Sequence, residues 1–462
     1  MQTENRLEGT SSVRTLGGLS GASWFLLVMG GLGGLLYGID FGVIAAAMPY
    51  LKTMGVFTDS QVSLIVGAVM LGGLVASLTA GQLSEWFGRR RMICAAAALF
   101  LAAVPVVCLS TRMFAFMYVG RALQGMSAGI MSVVMPMYLT ETLPPEIRGR
   151  GTGVFQLFLG IGLVGAAIGG FVISGLYGAG DLPLETASAA LKETAFRACF
   201  WWTLVPVAVL FVGGFFLPES PVWLARRDCA DVPLSAECAV YDSDGSLLQR
   251  KYVVPFLLAL AVLTLNKTMG MSSITSYSVV IFQKAGFGGS LGNVGDFAIK
   301  ATNLLMTLVA AALVDKKGRT WLLKVGTAGM TVGLAAIGCV FLAVERFGVA
   351  VTTTTGAVTL GAFFVMQAFY ALGPGVCVWL VLSELMPSRI RANGMSVALF
   401  ANQLTAWGLA STFLPWVNAW GWYSMFFFFA ANGAVYFVIS CLIPETKGKS
   451  LDELEHLFDK RT

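Results

Sequence analysis

The chain has 462 residues, 56% of them hydrophobic and only 12% charged, with a formal net charge of +5 and a mean hydropathy of +0.77. Soluble domains carry about 25% charged residues, so this composition excludes an ordinary soluble protein and calls for a bilayer. The single histidine, His456, lies in a polar tail, and the eight cysteines show no CxxC spacing. Neither histidine chemistry, a structural zinc site nor a disulfide framework is expected.

Residues 1–21 are polar and read as a cytoplasmic segment. The apolar run after them is too long and too glycine-rich for a removable signal peptide, so it reads as a first membrane helix. A spanning helix needs about 20 apolar residues. Twelve such runs follow one another at 22–50, 61–83, 93–112, 114–140, 150–176, 196–217, 252–282, 292–314, 321–344, 355–386, 394–417 and 422–443. With both termini in the cytoplasm, most of the 30 basic residues fall on the cytoplasmic side, and only Arg121, Lys267 and Lys300 lie deep inside spans, away from their ends. That asymmetry sets the orientation.

The polar loop 218–251 divides the chain into two bundles of six spans, 22–217 and 252–443, followed by a cytoplasmic tail, 444–462. The bundles echo each other. GQLSEWFGRRR (81–91) matches AALVDKKGRTW (311–321), aligning Glu85 with Asp315, Gly88 with Gly318 and Arg89 with Arg319. ETLPPEIRG (141–149) matches ELMPSRIRA (384–392), and PESP (218–221) matches PETK (444–447). All six segments sit at cytoplasmic helix ends. Two related bundles imply a site between them near the midplane, as in repeat-built transporters. The acids and arginines of the motifs (Glu85, Arg89, Arg90, Glu141, Arg148, Glu219, Asp315, Arg319, Glu384, Arg391 and Glu445) suit a salt-bridge network that closes the inner face in one state and breaks in the other. The plainer reading is cytoplasmic anchoring with incidental acids.

Over nearly its whole length the chain resembles the sugar porter family of the major facilitator superfamily. The resemblance rests on GIDFGVI (38–44), GQLSEWFGRRR, GRALQGMSAG (120–129), PMYLTETLPPEIRGRG (136–151), PESPVWLARR (218–227), DKKGR (315–319), GPGVCVW (373–379), SELMPSRIRA (383–392) and PETKGKSLDELE (444–455). It implies an all-α membrane protein with twelve spans in two pseudo-symmetric bundles, which rock about one sugar site. It also implies substrate contacts by Gln156, Asn303, Trp379 and Asn402. Amides carry a donor and an acceptor for adjacent hydroxyls, and an aromatic face suits a sugar ring. Amides also hydrogen-bond between membrane helices without any ligand.

Asp40 in the first span and Arg121 in the fourth are ionisable groups of the kind that pair inside a membrane. The resemblance implies that Asp40 is the proton site and Arg121 its partner; a permanent structural pair is the alternative. In the seventh span, family members show Gln-Gln-x-x-x-x-Asn. Here the register reads Asn266-Lys267-Thr268-Met269-Gly270-Met271-Ser272, so Asn266, Lys267 and Ser272 are the expected substrate contacts of this span, with Ser276 and Tyr277 where two aromatics are common. Three roles are open to Lys267. It can bind an anionic group of the substrate, donate to a neutral sugar or polyol, or pair with an acid such as Asp40. Lys300 is expected to snorkel toward the outer interface.

The expected activity is proton-coupled symport of a monosaccharide or related polyol. The alternatives are a uniporter, a carrier of sugar acids and a non-transporting sugar sensor. No enzyme activity, metal or cofactor beyond the coupling proton is expected. The expected partners are a small sugar or polyol and the lipid bilayer, with no nucleic acid and no second subunit. The expected home is a plasma or bacterial inner membrane.

Overall fold

The computed structural model describes residues 21–144, 147–177, 187–229, 250–287, 291–385 and 391–443. Regular structure among them is entirely helical. The N-terminal half comprises α1 (Gly21–Thr53), α2 (Asp59–Phe87), α3 (Arg89–Leu109), α4 (Phe114–Thr142), α5 (Arg148–Leu176), α6 (Ala189–Trp201) and α7 (Leu204–Gly214), with the short α8 (Pro221–Cys229) after it. The C-terminal half comprises α9 (Arg250–Thr268), α10 (Met271–Lys284), α11 (Leu291–Lys317), α12 (Arg319–Phe347), α13 (Thr353–Leu372), α14 (Pro374–Leu385), α15 (Arg391–Trp420) and α16 (Trp422–Leu442). Among the described residues, twelve helical stretches are long and apolar enough to cross a bilayer. Residues 230–249 and 444–462, with the PETK motif and Glu445, lie outside the described residues.

Three spans expected as single helices come in two pieces, and each break has a local cause. Between α6 and α7, Pro206 has no N–H for the Trp202 carbonyl, and Val205 N–H takes that carbonyl instead. Between α9 and α10, Gly270 adopts φ 78°, a left-handed conformation that glycine accepts without steric cost. Between α13 and α14, Pro374 again lacks the donor a continuous helix needs. Asn266 Nδ2 of α9 donates to the Pro374 carbonyl at 3.0 Å, so the breaks in the seventh and tenth spans are tied together.

Lipid tails are as apolar as leucine, so helices in a membrane associate through close packing rather than hydrophobic burial. Gly34, Gly38 and Gly42 form a stripe on α1 that lies against α5. A Cβ at Gly34 or Gly38 would collide with the carbonyl oxygens of Phe155 or Leu159. The repeat is visible in the backbone as well. Gly88 joins α2 to α3 at φ 89°, ψ 160°, and Gly318 joins α11 to α12 at φ 91°, ψ 160°. Both turns use a region that residues with a Cβ rarely adopt.

The halves meet along α1 with α10, α2 with α15 and α5 with α11. Asn418 Nδ2 donates to Asp59 Oδ2 at 2.7 Å. Nearby, Tyr277 Oη donates to the Ala410 carbonyl and approaches Ser63 Oγ, at 3.1 and 3.2 Å. Leu414 N–H donates to the same Ser63 Oγ. The Tyr277 ring stacks on Phe413 with centroids 4.4 Å apart. These contacts close the end of the molecule opposite the arginine-rich turns. Farther from that end, Gly160 of α5 still packs on Leu304 of α11. Gln156, one turn nearer the arginine-rich end on the same helical face, is exposed.

Candidate functional site

Asp40 and Arg121 are paired in the interior of the N-terminal half. Arg121 Nη1 lies 3.3 Å from Asp40 Oδ1, with the side chains 1% and 0% exposed. The same nitrogen donates to Gln124 Oε1 at 2.7 Å, and the guanidinium lies over the Phe200 ring. Asp40 Oδ2 and Arg121 Nε have no hydrogen-bond partner. An incompletely satisfied buried pair is expensive to keep. The free carboxylate oxygen is a position where a proton can be added without displacing a donor.

A narrow cavity lies where α5, α10, α11 and α13 converge, and Asn303 is the one predicted substrate residue in its wall. Its Oδ1 accepts from Gln367 Nε2 at 2.9 Å. Asp296, Lys300, Ser278 and Thr275 also line it. Lys300 does not snorkel. It is 4% exposed, and its Nζ donates to Asp296 Oδ2 at 2.7 Å and to the Gly42 carbonyl of α1 at 3.3 Å. The expectation of an interfacial lysine fails because an acid one turn away offers the ammonium a partner inside. Asp296, Ser278 and Gln367 were missed by the sequence reading. The one available signal was the Asp296/Lys300 spacing of four, which places the two on one helical face.

Lys267 lies in the last turn of α9, just before the Gly270 break. Its Nζ donates to Ser272 Oγ at 3.2 Å across that break. Asp40 pairs with Arg121 instead, and among the described residues no acid lies within ion-pair distance of Lys267. Two of the three predicted residues of the seventh span, Lys267 and Ser272, are thus in contact, while Asn266 serves the junction with Pro374. Asn402 is 3% exposed, and its Oδ1 has no partner. Gln156 is exposed, and the Trp379 side chain on α14 lies outside the described residues.

At the arginine-rich end the N-terminal motifs converge on one arginine, through its guanidinium and its backbone N–H. Arg89 is 1% exposed. It grips Glu141 through Nε and Nη2 at 3.0 Å each and reaches Glu85 through Nη2 at 2.6 Å. The backbone N–H groups of Arg89 and Arg90 donate to Glu219 Oε1 at 2.9 and 3.0 Å. Ser220 Oγ donates to Glu141, and Arg226 lies 3.6 Å from Glu85. A side chain at Gly88 would also strike Glu219. One arginine therefore joins three sequence motifs. Arg319 stands half-buried at the matching turn of the second half. The side chains of Arg148, Asp315, Glu384 and Arg391 lie outside the described residues.

Comparison with known proteins adds four findings. A family model described as sugar (and other) transporter matches residues 26–232 and 235–458. The arabinose-proton symporter of Bacillus subtilis (strain 168) is 28% identical over 458 residues, 93% of this chain and 94% of that protein. The glucose transporter GlcP of Staphylococcus epidermidis is 29% identical, covering 95% of this chain and 98% of its own. The crystal structure of a D-xylose-proton symporter shares the fold, with a TM-score of 0.77 at 23% identity over 92% of this chain and 99% of that one.

Proposed function

The chain belongs to the sugar porter family of the major facilitator superfamily, and on that footing we propose that it is a secondary active transporter moving a monosaccharide or related polyol together with a proton by alternating access. The observation that carries coupling is the buried Asp40–Arg121 pair with its unpartnered carboxylate oxygen. Its relatives include proteins named as proton symporters for arabinose and galactose, which supports the same reading.

In this reading Asp40 takes a proton at Oδ2. Neutralising the carboxylate weakens its hold on Arg121, which remains bonded to Gln124, and frees α1 and α4 to shift. Sugar binds between the halves against the amides of α11, α13 and α15. The contacts around Ser63, Tyr277 and Asn418 then part at one end as the two halves approach each other at the arginine-rich end. Positive-inside bias places the Arg89 end in the cytoplasm, in a plasma or bacterial inner membrane. The protein acts as a monomer with the proton as its only coupling ion.

A second reading rests on Lys267, an intramembrane cation with a hydroxyl for its partner and, among the described residues, no acid beside it. Such a group suits the carboxylate of a sugar acid. Proteoliposome uptake separates the readings. An inward proton gradient should drive a neutral sugar above its outside concentration, and a protonophore should abolish the excess. Uptake that only equilibrates, with or without the gradient, would point to a uniporter. Gradient-driven uptake confined to sugar acids would favour the Lys267 reading.

A further inference from the structure

Among the described residues, Asp296 and Lys300 form a buried ion pair that has no part in the proposed cycle. Both stand in the wall of the cavity, and side-chain exposure is 2% and 4%. Removing an ion pair from water costs several kcal/mol per ion, and apolar side chains of similar size would hold the helices as well or better. A pair kept at membrane depth therefore points to a ligand or a pathway.

The bonding left over identifies the ligand chemistry. Asp296 accepts from Ser278 Oγ on one oxygen and from Lys300 on the other. A carboxylate offers about four acceptor positions, so it can take more. Lys300 has three N–H groups, of which Asp296 and the Gly42 carbonyl use two. Beside them Gln367 is 1% exposed, and its Oε1 has no partner. The wall thus presents open acceptors on Asp296 and Gln367 next to an open donor on Lys300. The pair carries no net charge, so it does not attract an anion. Adjacent hydroxyls, one donating and one accepting, match it. Met271, flexible and unbranched, lines the same cavity and can yield space to a ligand.

We propose that Asp296 and Lys300 are the specificity-determining residues of the sugar site, reading a pair of neighbouring hydroxyls on a neutral ligand. This rests on the sugar-transport reading above. It assigns recognition to a charged pair on α11 rather than to the amides alone.

The test measures binding to purified protein by thermal stabilisation and by titration with D-xylose, D-glucose, D-galactose, L-arabinose, myo-inositol and D-gluconate. The neutral compound that binds is then replaced by each of its monodeoxy forms. In the wild type at least one deoxy form should bind about tenfold more weakly, as expected for a lost hydrogen bond to a charged group. In Asp296→Asn and Lys300→Gln the parent compound should weaken, and the difference between parent and that deoxy form should disappear. A purely structural pair predicts the opposite: unchanged differences between parent and deoxy forms in both variants, which overturns this inference and leaves symport standing. Binding of gluconate alone also overturns it. No binding by any compound sinks the sugar-transport reading itself. If the charge variants do not fold, Thr275→Cys serves instead, because Thr275 is half-buried in the same wall. Alkylation of that cysteine should be slowed by the neutral compound that binds, and unchanged alkylation refutes the proposal.

Discussion

Arg121 Nη1 reaches Asp40 Oδ1 at 3.3 Å, while the second carboxylate oxygen of Asp40 has no partner. One oxygen is committed to a cation and the other is open. The pair is therefore asymmetric, which suits the proposed proton site. Asp40→Asn removes the charge but nearly keeps the shape. It should leave sugar exchange across a membrane within a few-fold of wild type and abolish accumulation against a gradient. Counterflow and gradient-driven uptake in the same vesicles check this. Accumulation by Asp40→Asn would remove Asp40 from the coupling role.

Arg89 is held by Glu85, Glu141 and the Ser84 carbonyl. Arg89→Ala leaves the half-buried Glu141 without its cation, a loss of about 3 kcal/mol by analogy with other broken buried pairs. Arg89→Lys should not restore it, because an ammonium cannot reproduce the two-pronged guanidinium grip on one carboxylate. Thermal unfolding in detergent should show both variants well below wild type, with lysine recovering less than half the loss.

Gly38 allows α1 to lie on α5, where an added Cβ would meet the Leu159 carbonyl oxygen. Backbone cannot give way as a flexible side chain can, so Gly38→Val should destabilise the protein by about 1–3 kcal/mol or more. Gly165 on the same partner helix has open space where its Cβ would be. Gly165→Ala should be neutral or slightly stabilising. Size-exclusion profiles and melting temperatures of the two variants make the comparison. Equal losses at both sites would show that packing at the α1–α5 seam is not the cause.

Tyr277 closes one end with its hydroxyl and its ring. Tyr277→Phe keeps the stack on Phe413 and loses the bonds to Ala410 and Ser63. The loss of about 1 kcal/mol falls on the conformation closed at that end, so the open conformation gains about fivefold in population. A cysteine at Ser63 should then react faster with a membrane-impermeant thiol reagent added from the Asp59 side. An unchanged rate would mean that this hydroxyl does not hold the end shut.

The spans were legible because a bilayer demands long apolar runs, and composition alone reveals them. The pairing of Asp40 with Arg121 was legible because intramembrane charges seek each other. The breaks at Gly270 and Gly373–Pro374 were not marked, although their residues are strong breakers, because hydropathy averaged over a span does not register one turn of backbone. Lys300 was misread because it was considered alone, without the acid four residues before it. Gln367 was invisible for a different reason: its partner, Asn303, lies on another helix, and nothing in one sequence shows which helix faces meet. The Arg89 cluster was legible as a set of motifs, but not as two acids gripping one guanidinium while a third caps the backbone beside it.

The central claim is that sugar and proton move together through this protein. Its most direct test loads vesicles of reconstituted protein with no proton gradient, adds sugar outside, and follows internal pH. Sugar moving inward should acidify the lumen in the wild type and leave it unchanged in Asp40→Asn. Sugar entry into wild-type vesicles without any change in internal pH would contradict the account and make the protein a uniporter.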